Sequence, residues 1–399
     1  MELTISTPRL AAARILPRTP RAFYRTAINA FFFVMGMVFA SWAVRIPDIK
    51  AALQMSDAAL GSVLLAAPLG EMLSIAPTAW LIGRFRSRRV IMLGLMLMPC
   101  ALLSLALAGS PHWLAAALLG FGFANNMLNI SLNAQAVGVE TLYGRSIMAT
   151  FHGMWSLGGV AGCIIGSVAP LGVAPLPHFA AILVITLATL CCLRTWTMPR
   201  EVRIGAAAPE SGKRSFRPDL YLTLLGCIAL GSMATEGAMY DWSSVYFAQV
   251  VQPGESLIRA GYLACMCAMV TGRLLADGLV NRFGVTPVLQ LSGLCIAAGL
   301  SLALLWPDLL PATAGLALVG FGMASVVPLC YSLAGKSTRV PPSVAISLVS
   351  SLSFLGFLGC PPMVGFLSHQ FDLRWALSPI VVVGVAIFCL APLVRRIKA

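Results

Sequence analysis

Between Asp57 and Arg84 the chain runs AALGSVLLAAPLGEMLSIAPTAWLIG, uncharged except for Glu71. A helix rising about 1.5 Å per residue places that carboxyl roughly 20 Å from either flanking charge, near the middle of a hydrocarbon layer about 30 Å thick. An ionisable group at such a depth costs roughly 2.5–3.5 kcal/mol, so Glu71 is expected to face protein or a water-filled cavity. Three chemistries fit it there: a proton carrier, an acceptor for solute hydroxyls, or a hydrogen-bonding partner for another helix.

Other polar groups stand in apolar runs. Glu236 is a second acid in the middle of an apolar run, and Arg273 precedes Asp277 by four residues, a spacing that permits contact on one helix face. Asn126, Asn129 and Asn133 recur at i, i+3 and i+7 and so share a face, with Asn125 beside them. Such a stripe either ties neighbouring helices together or lines a wet cavity, and the nearby Glu71 favours the cavity. Trp42, Trp155, Tyr240, Trp242 and Tyr331 offer flat faces for stacking on a sugar ring, although Trp42 and Trp242 also suit a membrane-interface belt.

Catalysis is not indicated. His152 is read as the only histidine inside a span, and it has no metal-spaced partner. All 11 cysteines fall inside apolar runs, without disulfide or zinc spacing. The reading is no enzyme, no cofactor and no metal site.

The elements that must carry these groups are long and apolar. Of 399 residues, 59% are hydrophobic and 10% charged, against about 25% charged in a soluble domain. Spans are predicted at about 26–46, 58–82, 88–109, 112–137, 144–168, 175–196, 219–248, 258–281, 286–306, 310–334, 342–368 and 373–394. On this map every one of the 27 Lys and Arg except Arg45, Lys50, Arg259 and Arg374 lies on one side. That asymmetry predicts both termini in the cytoplasm of a bacterial inner-membrane protein, so the net charge of +13 is topological and implies no nucleic-acid partner. The Arg-rich start lacks a small-residue cleavage site and reads as an uncleaved lead-in.

The chain also repeats itself. Gly120-Phe121-Gly122 with Ala124 returns as Gly320-Phe321-Gly322 with Ala324, Trp42 as Trp242, and Arg84-Phe85 as Arg282-Phe283. The expected fold is therefore all-α and polytopic, with two pseudo-symmetric six-helix bundles sharing one orientation. Its parts are a basic tail over 1–25, bundles over 26–196 and 219–394, a cytoplasmic linker over 197–218 and a tail over 395–399.

The segments ASWAVRIPDIK (40–50), ALGSVLLAAPLG (59–70), RFRSRRV (84–90), FHGMWSLGG (151–159), EGAMYDWSSVYF (236–247) and GRLLADGLVNRFG (272–284) resemble the major facilitator superfamily, most of all its fucose-permease and MosC/YbjJ-like branch. The resemblance implies a secondary transporter. Helices 1, 4, 7 and 10 would line a central cavity, 2, 5, 8 and 11 the seam between bundles, and 3, 6, 9 and 12 the outside. Of the family's loop signature G-x-L-x-D-R-x-G-R-K, the second half keeps Asp277, Arg282 and Gly284, with Asn281 at the acidic position. The first half keeps Arg84 and Arg88 but has Gly83 for the acid and Arg86 for the second glycine. Met37 and the span-4 asparagines stand where fucose permease has carboxylates, so neither fucose nor proton coupling carries over. The expected partners are a small polar solute, with protons as a candidate coupling ion, and the lipid bilayer, around a monomeric transporter. The alternatives are an exporter of amphiphiles and a non-transporting receptor. At the face opposite the basic one, Arg45 is expected to pair with Asp241, or locally with Asp48, beside Trp42 and Trp242.

Overall fold

In a hydrocarbon layer a backbone must satisfy its own hydrogen bonds, and an unbroken helix does so without a partner strand. The computed structural model, which describes residues 20–144, 147–168, 174–198, 220–337, 340 and 342–398, takes that solution throughout. The first half comprises α1 (Pro20–Ala43), α2 (Ile46–Ala52), α3 (Asp57–Leu64), α4 (Ala66–Phe85), α5 (Ser87–Ala106), α6 (Pro111–Tyr143), α7 (Met148–Val168) and α8 (Pro175–Leu193). The second comprises α9 (Leu220–Tyr246), α10 (Ala260–Phe283), α11 (Val285–Leu305), α12 (Leu309–Met323), α13 (Val326–Ala334), α14 (Pro342–Phe371), α15 (Leu373–Ala376) and α16 (Ser378–Lys398).

Among the described residues 11 helical segments are long and apolar enough to cross a membrane, and α7, with 21 residues, supplies the remaining span between α6 and α8. Local chemistry sets several ends. The Ser56 hydroxyl accepts from the Ala59 amide to start α3, and that of Ser110 accepts from Trp113 to start α6. Gly144, at φ 62°, stops α6. The predicted second span is two helices joined at Leu65, the tenth is broken between Met323 and Val326, and the seventh runs through a wider turn to Val251. Most of the predicted tail 1–25 and linker 197–218 lies outside the described residues.

Helix pairing repeats between the halves. In the first, α1 packs on α7, α4 and α5 on α6, and α5 on α8; in the second, α9 packs on α14, α10 and α11 on α12, and α11 on α16. Glycines make these seams close. A Cβ on Gly122 would strike the Ala67 carbonyl, and one on Gly320 the Cys265 carbonyl; Gly158 and Gly356 likewise face the carbonyls of Phe33 and Leu230. The structural equivalent of Gly122 is thus Gly320, two residues short of the register suggested by the Gly-Phe-Gly motif. Large apolar side chains are left on the outside, including Leu93 and Met96 on α5, Val184 on α8, Leu294 on α11 and Val382 on α16. These are the helices expected to face lipid.

Candidate translocation site

A cavity of about 940 Å³ separates the halves. Glu71, Met72 and Ile75 of α4 and Asn126 and Ile130 of α6 form one wall, and Leu222 and Thr223 of α9 and the 346–355 stretch of α14 form the other. Because Leu222 and Val340 belong to the basic end of the molecule, the cavity opens to that face.

Glu71 is held from α6. Asn125 donates to its Oε1 at 2.8 Å, and Asn126 donates to the Glu71 carbonyl and to Ser74 Oγ, each at 2.8 Å. Its second carboxylate oxygen has no hydrogen bond among the described residues. The asparagine stripe therefore divides: Asn125 and Asn126 tie α6 to α4 while Asn126 also lines the cavity, and Asn133 donates to Asn129 at 2.8 Å along its own helix.

Beyond the cavity the halves meet at a polar cluster. Tyr240 donates to Glu236 at 2.5 Å, and Arg273 Nη2 lies 3.5 Å from the same carboxylate. Arg273 Nη1 crosses to the other half and donates to Ser156 on α7 at 2.6 Å. The spacing-based pairing of Arg273 with Asp277 is not made; Asp277 is exposed a turn away, and the guanidinium reaches inward to the half-buried carboxylate of Glu236. Phe39 and Trp155 close on Tyr240 from the first half, with ring centroids 5.3 and 6.4 Å away. The His152 ring rests on Phe32 at 5.4 Å without a hydrogen bond among the described residues. Tyr331 meets Ser350 and Ser353 at 3.3 and 3.0 Å and so ties α13 to α14.

The opposite face is shut. Arg259, entering α10, donates to the Val44 carbonyl at 3.1 Å and to Asp48 at 2.7 Å. Asp57 accepts from Lys50 in its own half and from Ser368 and Gln249 in the other. Behind these, Gly61 of α3 meets Gly365 of α14 backbone to backbone.

The expected Arg45–Asp241 pair is absent. Arg45 bonds Asp48 at 2.8 Å and His178 at 3.3 Å, the local alternative, because the helical run of α9 and the wide turn after it continues from Asp241 to Val251 and draws that carboxyl inward. Asp241 has no hydrogen bond or ion pair among the described residues. His178 itself lies in α8, which corrects the reading of His152 as the only histidine within a span. Trp42 and Trp242 are buried in protein, so neither is a belt residue nor a free stacking platform. In the loops, Arg88 donates to the Arg194 carbonyl, Arg84 and Arg282 lie over Phe85 and Phe283, and Gly284 takes φ 86°. Sequence reasoning missed Ser156, Gln249 and Ser368, which carry no charge and gain meaning only from partners far along the chain.

Two six-helix halves, shut at one end and parted at the other around a cavity, match a known family in sequence as well as shape. The Major Facilitator Superfamily profile matches residues 26–344. The chain belongs to that superfamily. An MFS-type transporter of Yersinia pestis is 31% identical over 366 residues, spanning 92% of this chain and 94% of the relative. The membrane protein MosC of Rhizobium meliloti is 31% identical over 367 residues, spanning 91% and 88%. Among solved structures, a bacterial homologue of the lysosomal transporter Spinster, inward-facing and occupied, aligns with TM-score 0.73 at 15% identity over 95% of this chain and 98% of its own. A D-xylose-proton symporter aligns with TM-score 0.69 at 15% identity over 93% and 97%. The protein is an integral membrane transporter and not an enzyme.

Proposed function

We propose that this transporter moves a small polar solute of sugar or polyol type across the bacterial inner membrane by alternating access, with the basic face in the cytoplasm and each monomer acting alone. The observation that carries this reading is Glu71 beside Asn126 on the wall of a cavity open to one face only. A carboxylate with an oxygen to spare and an amide that both donates and accepts are suited to hydroxyls. The fold neighbour named as a D-xylose-proton symporter takes a hydroxylated solute and supports the same class.

Protons are the coupling ion in this reading. Glu236 already has Arg273, whereas Glu71 and Asp241, in opposite halves, have no ion pair among the described residues. Two carboxylates in an apolar interior require neutralisation, and rocking changes the surroundings of both. The apolar remainder of the wall, Met72, Ile75, Ile130, Leu352 and Leu355, favours a second reading, export of an amphiphile.

Proteoliposomes loaded with a sugar and polyol panel, with and without an imposed pH gradient, test both. Wild type is expected to accumulate a polyol or sugar against its gradient, and Glu71→Gln and Asp241→Asn to exchange it downhill only. Accumulation by both variants at the wild-type level would remove proton coupling through these groups. Movement of amphiphiles with no sugar or polyol moved would replace the first reading by the second.

A further inference from the structure

A second cavity, about 760 Å³, lies on the basic face away from the translocation path, where the α4–α5 loop meets the end of α8. Arg84, Arg86, Arg88, Arg89 and Arg194 line it with Phe85, Met92 and Thr195, and no acidic side chain contributes. We propose that this cavity binds the phosphate headgroup of an anionic glycerophospholipid from the leaflet on that face.

Charge alone would follow from topology, but three features mark a formed site. First, five arginines from separate elements line one cavity, with Arg88 anchored on the Arg194 carbonyl at 3.2 Å, and planar guanidiniums suit phosphate oxygens. Second, Arg86 adopts φ 70°, ψ 152°, nearly the conformation that the second half gives to Gly284 at φ 86°, ψ 165°. A side chain is disfavoured there, and the chain nonetheless sets an arginine facing the cavity. Gly83 stands where the resemblance leads one to expect an acid beside these arginines, and no carboxylate lines the cavity. Third, the wall is amphiphilic. Phe85 packs edge-on against Trp80, both are exposed, and Leu93 and Met96 continue the exposed apolar strip along α5. A free phosphate would leave that strip uncovered, whereas acyl chains lie along it.

The test is thermal unfolding of the purified whole transporter in neutral-detergent micelles doped with dioleoylphosphatidylglycerol, with dioleoylphosphatidylcholine, or with inorganic phosphate. Phosphatidylglycerol is expected to raise the unfolding midpoint saturably and phosphatidylcholine to leave it unchanged. Each guanidinium near an anionic lipid is worth about five-fold in binding, so Arg84→Gln with Arg88→Gln should weaken the response by roughly 30-fold. Arg194→Gln, on the other side of the cavity, should weaken it about five-fold and serves if the double variant does not fold. Arg282→Gln, in the equivalent loop of the second half, should keep the wild-type response. Equal responses to the two lipids, equal weakening by Arg282→Gln, or a matching response to inorganic phosphate would each overturn the lipid site.

Discussion

Replacing Gly365 by alanine should pry open the closed face without disturbing either bundle. A Cβ at Gly365 would sit 2.6 Å from the Asp57 carbonyl oxygen and 2.8 Å from Gly61 Cα, and ordinary contact begins near 3.4 Å. Both obstructing atoms are backbone, so relief requires α3 and α14 to separate by several tenths of an ångström. Overpacking of this kind costs about 1–3 kcal/mol. Because α3 and α14 belong to different bundles, the cost falls only on the conformation in which they touch. The ratio of that conformation to its alternative should then fall by about 5- to 150-fold. Spin labels at Ala52 and Gln370, both exposed on the closed face, would read the change as a longer-distance population in pulsed dipolar spectroscopy, once the 11 native cysteines are replaced. Gly359→Ala is the control, since a Cβ there meets nothing within 4 Å on the same helix. An unchanged distance distribution in Gly365→Ala, or the same shift in Gly359→Ala, would refute the seam as the point of closure.

Two further outcomes follow from named contacts. Gly158→Val drives a side chain into the Phe33 carbonyl inside the first bundle, so it should lower the thermal midpoint and the yield of folded protein instead of shifting conformers, by about 3 kcal/mol or more; a wild-type melting curve would contradict this. Arg273→Lys leaves one nitrogen where two now reach Ser156 and Glu236, so transport in proteoliposomes should fall about ten-fold with the unfolding midpoint kept, and full activity would show that the bridge between halves is dispensable.

The spans, their duplication and the two cavity residues Glu71 and Asn126 were legible in the sequence because each rests on something local: the length of an apolar run, a recurring tripeptide, a charge where none belongs. What escaped were contacts between segments far apart. Arg273 reaches Ser156, and Asp57 reaches Ser368, across the seam between bundles, and no periodicity within one helix signals such a partner. Asp241 was misassigned to the gate because the turn Phe247–Val251 extends its helix beyond the apparent end. The repeat register slipped by two residues for a similar reason. Gly-Phe-Gly matches by identity at Gly322, whereas Gly320 is the glycine that meets its neighbour's backbone as Gly122 does.

Asp57 gathers donors from three separate segments: Lys50 at the end of α2, Gln249 beyond α9 and Ser368 near the end of α14. A carboxylate offers about four lone-pair sites, enough for all three at once. The two donors from the second half depart together when the halves part, so the latch releases in a single cooperative event. A carrier differs from a channel in never presenting a continuous water path. With Gln249 and Ser368 drawn to one acceptor, this part of the seam parts as a unit and leaves no half-open arrangement there through which a solute or an ion could leak.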